Sequence, residues 1–341
     1  MTLFRRWLAC GLALTACALA SGCTPTPSVR SAWPIASLEA TVSPPADTLR
    51  YPLTGLPAPD TRAFTRRPLC VKVADPSGGA VLTGVELADM VYETADSGSS
   101  SQLACVFQSA VPKRIGPVGM AGMPDLWIVP QYGAALFSLG APAALSASIA
   151  QAGLLNLSKD TTAAATYVEG GNVVLVDGRA ALAALKAAHS VEATSPAHVR
   201  FSASVDTTTA PNAGVTVPFS ASTVVTWVYD RKTRVYLRSA GASKQRDTTT
   251  DRQISATNVV VMWARYTALD TDIAGGGGFD VTLGGSGQVS VFRGGERLDG
   301  KWKADGTAPP RFAREDGSAI KLAPGNTWVE VIPLSTDITL R

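Results

Sequence analysis

The first residues of this chain decide where the rest of it folds. Arg5 and Arg6 precede an apolar stretch from Trp7 to Ala20, then the small residues Ser21 and Gly22, then Cys23. A short positive region, an apolar run and small residues at a cleavage point are the marks of a signal peptide, and a cysteine just past that point accepts a diacylglycerol. Residues 1–22 are therefore expected to leave as a lipoprotein signal peptide, with Cys23 as the lipid-bearing N-terminus. Leu14-Thr15-Ala16-Cys17 also reads as a lipobox, which makes Cys17 the alternative attachment point. The apolar run before Cys17 is short for a leader core of about 7–15 residues. An acyl anchor gains roughly 0.8 kcal/mol per buried methylene, so the expected location is extracytoplasmic, on the outer face of the cell membrane.

Residues 23–50 are rich in Pro, Ser, Thr and Ala, show no sustained periodicity, and read as a flexible tether. Beyond the tether, a chain of 341 residues with 46% hydrophobic and 17% charged residues is long and apolar enough for two buried cores. The formal net charge is +3 and includes the two leader arginines. No broad basic surface remains to hold a phosphate backbone, so nucleic acid is not an expected partner. Only Cys70 and Cys105 stay in the mature folded part, each in an apolar run. Two readings are open: a Cys70–Cys105 disulfide, or two buried free thiols on neighbouring strands.

Between Asp125 and Lys159 there is no charged residue. A membrane span needs about 20 continuous apolar residues, and Pro130, Gly133, Gly140 and Pro142 interrupt this one, so it reads as helix, buried strand and second helix. Strands are expected at Pro68–Ala74, Met90–Thr94, Gln102–Ser109, Ala134–Leu139 and Asn172–Val176, and helices at Pro124–Gln131, Ala141–Ala152 and Gly178–His189. Residues 51–205 thus read as an α/β N-terminal domain with a mixed sheet. After a Thr/Pro-rich run at 206–218, read as a linker, residues 219–341 read as a smaller β-dominated (α+β) C-terminal domain. Its expected strands are Thr223–Tyr229, Val235–Arg238, Asn258–Ala264, Phe279–Leu283, Gln288–Arg293, Arg297–Trp302 and Thr327–Ile332.

Several motifs occur in a familiar order: Pro52-Leu53-Thr54-Gly55-Leu56, Arg67-Pro68-Leu69, Leu87-Ala88-Asp89-Met90-Val91-Tyr92-Glu93, Val106-Phe107-Gln108 and Gly116-Pro117-Val118. Near the other end stand Gly300-Lys301-Trp302 and the run from Leu322 to Pro333, Leu-Ala-Pro-Gly-Asn-Thr-Trp-Val-Glu-Val-Ile-Pro. In these features the chain resembles the YerB-like lipoproteins over nearly its whole length from Tyr51. The resemblance implies a two-domain envelope lipoprotein and no particular activity. The chain also departs from the family pattern. Where the resemblance leads one to expect two arginines after Gly-Pro-Val, it has Gly119 and Gly122; an expected Glu and Arg are Ser97 and Gln102, and an expected His is Ser138.

Catalytic constellations are sparse. His189 ends a predicted helix, where a positive group suits the dipole, and His198 stands in a loop near Arg200. No G-x-S-x-G elbow, H-E-x-x-H helix or Cys/His metal spacing is present, so no metal or cofactor is called for. The glycine runs 275–278 and 284–287 are followed by no helix and read as turns between strands rather than as a phosphate cradle. Asp75, Glu93 and Asp96 lie at or after the ends of predicted strands, where open sheets place ligands. If the two strands are parallel neighbours, these acids share a rim. Lys113 and Arg114 read as turn charges able to hold an anionic polymer. The expected function is a non-enzymatic envelope module that binds a cell-envelope polymer or another envelope protein through the α/β domain. The alternative is a hydrolase or transferase acting on envelope glycan or phosphodiester bonds with Asp75, Glu93 and His198.

Overall fold

A computed structural model describes residues 49–59, 65–74, 81–96, 99–160, 166–170, 173–190, 199–204, 211–269 and 278–341. The leader, both lipobox cysteines and nearly all of the tether lie outside these residues. The chain runs β1 (Leu69–Val73), a 3-10 turn (Val85–Leu87), β2 (Met90–Ala95), β3 (Ser101–Phe107), β4 (Arg114–Ile115), α1 (Asp125–Gln131), β5 (Ala135–Phe137), α2 (Ala143–Gln151), β6 (Tyr167–Gly170), β7 (Val173–Asp177) and α3 (Gly178–Ala187). It continues through β8 (Gly214–Pro218), β9 (Val224–Asp230), β10 (Val235–Ala240), β11 (Ser243–Lys244), β12 (Arg246–Asp247), β13 (Arg252–Gln253), β14 (Ser255–Ala256) and β15 (Asn258–Ala268). The last strands are β16 (Phe279–Thr282), β17 (Gly285–Arg293), β18 (Glu296–Ala304), β19 (Arg311–Ala313), β20 (Ala319–Ile320), β21 (Thr327–Pro333) and β22 (Thr339–Leu340).

One large mixed sheet runs in the order β20-β19-β18-β17-β15-β21-β2-β3-β1-β5, with β16 paired to the far end of β15. Its centre is set late in the sequence: β21 lies parallel to β2 on one side and parallel to β15 on the other. Both faces of β21 are covered, so six of its seven residues are buried, and its sequence is a nearly unbroken apolar run rather than an alternating one. A second sheet, β11-β10-β9-β8-β22 with β14 on β10, covers one face. There Val225, Trp227 and Tyr236 pack with Val91, Val259 and Trp328, and Leu185 of α3 joins the same core. On the other face Tyr92, Val329 and Val331 pack against Ile128 of α1, Tyr132 just past its end, and Leu145 and Ile149 of α2.

The charge-free stretch folds as read, into α1, β5 and α2, and the five expected N-terminal strands coincide with β1, β2, β3, β5 and β7. Helix is scarcer than an α/β description implies. Among the described residues the three α-helices have 7, 9 and 10 residues, and Pro130 sits inside the first; what the structure supports is a mostly-strand fold with mixed sheets. Part of the run read as a linker, Gly214–Pro218, is β8, whose Val215 and Val217 are buried in the second sheet. Gly285 and Gly287 belong to β17, not to a turn. At Gly287 a Cβ would lie 2.6 Å from the Trp302 indole nitrogen, which donates to Trp263 O at 2.9 Å, so the ring needs the bare backbone.

The disulfide reading is overturned. Cys70 pairs across the ladder with Val106, and Cys105 with Val71. A one-residue offset on paired strands points two side chains to opposite faces, and Cys70 lies in the helix-side core while Cys105 lies in the inter-sheet core. Both are buried free thiols.

Candidate functional site

Glu93 is fully buried, and its position follows from β21. Glu93 and Glu330 are opposite one another on the parallel pair β2 and β21, so both project into the core between the sheets. Glu93 accepts from Ser101 Oγ at 2.6 Å and is paired with Arg238 Nη2 of β10 at 2.5 Å; both members of the ion pair have no exposed side-chain surface. The guanidinium carbon stands 4.9 Å from the centroid of Trp328 and 5.9 Å from that of Trp227, so ring faces meet the nitrogens that no acceptor reaches. Trp227 Nε1 donates to Glu330 Oε1 at 2.7 Å. Burial and the neighbouring Glu93 push the Glu330 carboxyl well above the usual carboxylate range, against the opposing effects of Arg238 and Trp227. Glu330 Oε2 meets no donor, which suits an oxygen that carries the proton itself. A general acid must reach its substrate; Glu93, sealed between two sheets, does not.

A second buried pair lies on the opposite face. Lys72 Nζ of β1 is 3.0 Å from Asp125 Oδ1 at the start of α1, with side-chain exposures of 1% and 0%. The other Asp125 oxygen accepts from Gly122 N at 2.8 Å. Gly119 N donates to Lys72 O at 3.0 Å, and Leu139 N donates to Gly119 O at 2.9 Å. A Cβ on Gly122 would lie 3.0 Å from Gln102 Nε2, and Ser138 and Ser158 share a 2.9 Å hydroxyl contact. Positions 102, 119, 122 and 138, where the family pattern leads one to expect charged or basic side chains, therefore gather on one rim, past the C-terminal ends of β1 and β5. In this chain they are neutral, and the cation beneath them is already paired with Asp125.

The remaining sequence candidates do not converge. β3 separates β1 from β2, so the shared rim expected of Asp75 and Glu93 is not formed by neighbouring strands; Asp75 and His198 lie outside the described residues. Asp96 follows β2 and its backbone N donates to Ser100 O at 3.0 Å. Lys113 is exposed, and Arg114 is ion-paired with Asp177. Asp177 also caps α3, accepting from Arg179 N at 2.9 Å and Ala180 N at 3.0 Å; these bonds, the Ala180 amide first, and Arg114 hold its carboxyl below the usual range. Arg200 is exposed at a pocket of about 260 Å3 shared with Arg311, Phe312 and Leu322. His189 lies just past α3 and its capping residue Ala188, with φ 49°, in the left-handed region.

Sequence reasoning passed over Lys72, Asp125, Arg238 and Glu330. Three of them carry a readable signal, an ionisable residue inside an apolar strand: Leu-Cys-Val-Lys-Val, Val-Tyr-Leu-Arg-Ser and Trp-Val-Glu-Val-Ile. The family motifs are largely architectural. Asn326 accepts from Thr257 N at 2.9 Å and donates to Ser255 O at 2.8 Å, while Gly325 N donates to Thr54 O at 2.8 Å. Those bonds tie the Leu-Thr-Gly and Pro-Gly-Asn motifs to each other and to the entry of β15.

A larger cavity lies on the outer part of the main sheet. It measures about 560 Å3, within the roughly 300–1,000 Å3 of ligand sites. Gln288 and Ser290 of β17 and Asp299 and Lys301 of β18 are opposed across the ladder on its floor. Leu334, Ile338 and Leu340 form a lip, with Leu334 63% and Leu340 44% exposed. Charge on the floor is internally matched: Arg297 Nε to Asp299 at 2.7 Å, and Lys301 Nζ to Glu315 at 3.1 Å. A floor of paired charges and amide, beside an apolar lip, suits an uncharged, hydrogen-bonding chain.

Two segments that share one mixed, mostly-strand sheet define a recognised architecture. Residues 53–181 match the family model for the N-terminal domain of the "Protein of unknown function (DUF3048)" family, and residues 215–329 match the model for its C-terminal domain. The chain belongs to the DUF3048 family. Over 305 residues, 84% of this chain and 87% of the relative, it is 25% identical to the Bacillus subtilis (strain 168) protein named "Putative lipoprotein YerB". The crystal structure of YerB protein from Bacillus subtilis aligns with a TM-score of 0.72 at 20% identity, covering 85% of this chain and 99% of that one.

Proposed function

We propose that this protein is a lipid-anchored extracytoplasmic module that does no chemistry and holds an extended polymer of the cell envelope in the groove over β17 and β18. The groove carries the reading: it is the larger of the two cavities described above, and its charges are matched before any ligand arrives. The anchor is supported by the leader ending at Cys23 and by the relative named as a lipoprotein. Among the described residues no helix is long and apolar enough to cross a membrane. The buried ion pairs are read as structural, because neither Glu93 nor Asp125 presents any side-chain surface. No cofactor enters this reading.

The test is a binding titration of the detergent-solubilised full chain against purified peptidoglycan, other wall polymers and envelope protein fractions. A Gln288→Ala, Lys301→Ala double variant runs alongside. Saturable binding weakened about tenfold in the variant, about 1.4 kcal/mol, is the expected result. Binding that ignores the substitutions, or none to any fraction, would sink the groove as the site.

A further inference from the structure

The groove borders an open sheet edge. In the second sheet β22 is the last strand, and among the described residues its only ladder is with β8. Arg341 N donates to Gly214 O at 2.9 Å, and the register places Thr339 opposite Thr216 and Leu340 opposite Val215. Antiparallel pairs alternate between bonded and non-bonded. Arg341 and Thr339 therefore turn their peptide groups toward β8, and Leu340 turns its N–H and C=O away from it. The register on the far side of β8 agrees, because Val215 and Val217 face Trp227 and Val225 of β9. No described residue meets the outward groups of Leu340.

Beside that edge the second layer stops. On the floor of the groove Gln288, Asp299 and Lys301 of the main sheet are exposed, with Ser290 buried beside them, and Leu340 of β22 stands at the lip. A strand added to β22 would lie about 4.8 Å further out, over the exposed Gln288, Asp299 and Lys301, in a layer about 10 Å from the main sheet. It would complete the second sheet where it now ends, and the Leu334 and Leu340 side chains would cover its apolar residues.

Resting on the groove reading above, we infer that the groove takes an extended polypeptide, paired through its backbone with the free edge of β22. Backbone hydrogen bonds along an edge supply affinity, and alternate side chains supply selection. Residues facing the floor meet the Gln288 amide and the two matched ion pairs, so they are polar and low in net charge. Residues at the lip are apolar.

The probe is a phage-displayed library of random peptides of about six to eight residues, the length of an ordinary strand, panned on the detergent-solubilised full chain. Enriched peptides are then measured against Leu340→Pro, Leu340→Ala and Lys301→Glu. Proline removes only the outward N–H and is tolerated on an edge strand, so the melting temperature of Leu340→Pro should match that of Leu340→Ala. The expected result is a loss of at least about tenfold in affinity for Lys301→Glu, and for Leu340→Pro a loss at least about tenfold beyond that of Leu340→Ala, which shortens the lip but keeps the N–H. Should Leu340→Pro fail to fold, N-methylation of alternate peptide amides replaces it, and one methylation register should abolish binding. Peptides that bind Leu340→Pro as well as Leu340→Ala, or that bind in both methylation registers as well as the originals, would overturn strand addition while loss in Lys301→Glu keeps the groove. Peptides indifferent to Lys301→Glu as well would overturn both, and failure to enrich any peptide would overturn the polypeptide alone.

Discussion

Glu93 and Glu330 face each other on adjacent parallel strands, and one arginine, Arg238, serves both. Two carboxyls and one guanidinium in a dry core cannot all be charged without a large desolvation penalty. Glu330 resolves the imbalance by holding its proton.

Removing the cation should therefore harm the protein more than removing the whole pair. Arg238→Met leaves Glu93 buried and uncompensated, which costs about 3–5 kcal/mol. Urea unfolding should show that loss, and the Glu93→Gln, Arg238→Met double variant should recover part of it. A double variant no more stable than Arg238→Met would mean that the pair is not coupled.

The raised Glu330 carboxyl has a pH consequence of definite sign. Folded Glu330 keeps its proton above the ordinary glutamate value of 4.5, where the unfolded chain releases it. Its contribution is full below that value and is lost as pH rises toward the folded one. Buried Asp89 and Glu86 are also raised, chiefly by desolvation, and act in the same direction. Urea midpoints measured from pH 5 to pH 9 should decline, and the decline should be shallower in Glu330→Gln; equal slopes would contradict the assignment.

The two core thiols should be silent in the native protein. Burial pushes Cys70 and Cys105 far above the usual thiol range, so neither offers thiolate to an electrophile. Alkylation followed by peptide mass spectrometry should modify both only after denaturant is added. A Cys70–Cys105 linked peptide from native protein would contradict the register of β1 and β3.

Asn326 offers a test of the Leu-Ala-Pro-Gly-Asn motif. Asn326→Ala strands the half-buried Thr257 N and Ser255 O, and an unpaired group costs up to about 1–3 kcal/mol as burial approaches completeness. Thermal unfolding should fall by several degrees while peptide or polymer binding to the folded protein stays unchanged. A binding defect without a stability defect would move Asn326 out of the framework and into a site.

What could be read from the sequence follows from local pattern. The apolar runs that became β1, β2 and β3 and the Pro/Gly-broken stretch that became α1, β5 and α2 are visible because period and punctuation are local properties. β8 was hidden in a Thr/Pro-rich run because its burial depends on β9 and β22 on either side. Glu93 was misplaced for a similar reason. At the end of a lone strand it looks like a rim acid, and only the arrival of β21 beside β2 closes the core over it. The groove left no local trace, since its floor comes from β17 and β18 and its lip from the tail after β21.

The position of β21 also bears on when the core can close. The strand that joins both halves of the sheet, Thr327–Pro333, follows both of the strands it lies between, β2 and β15, in the sequence. Before it docks, β2 and β15 each lack a neighbour. Contacts so distant in sequence form slowly. A protein built this way keeps its central sheet open until β21 docks, so that one event joins the two halves and closes the core between them.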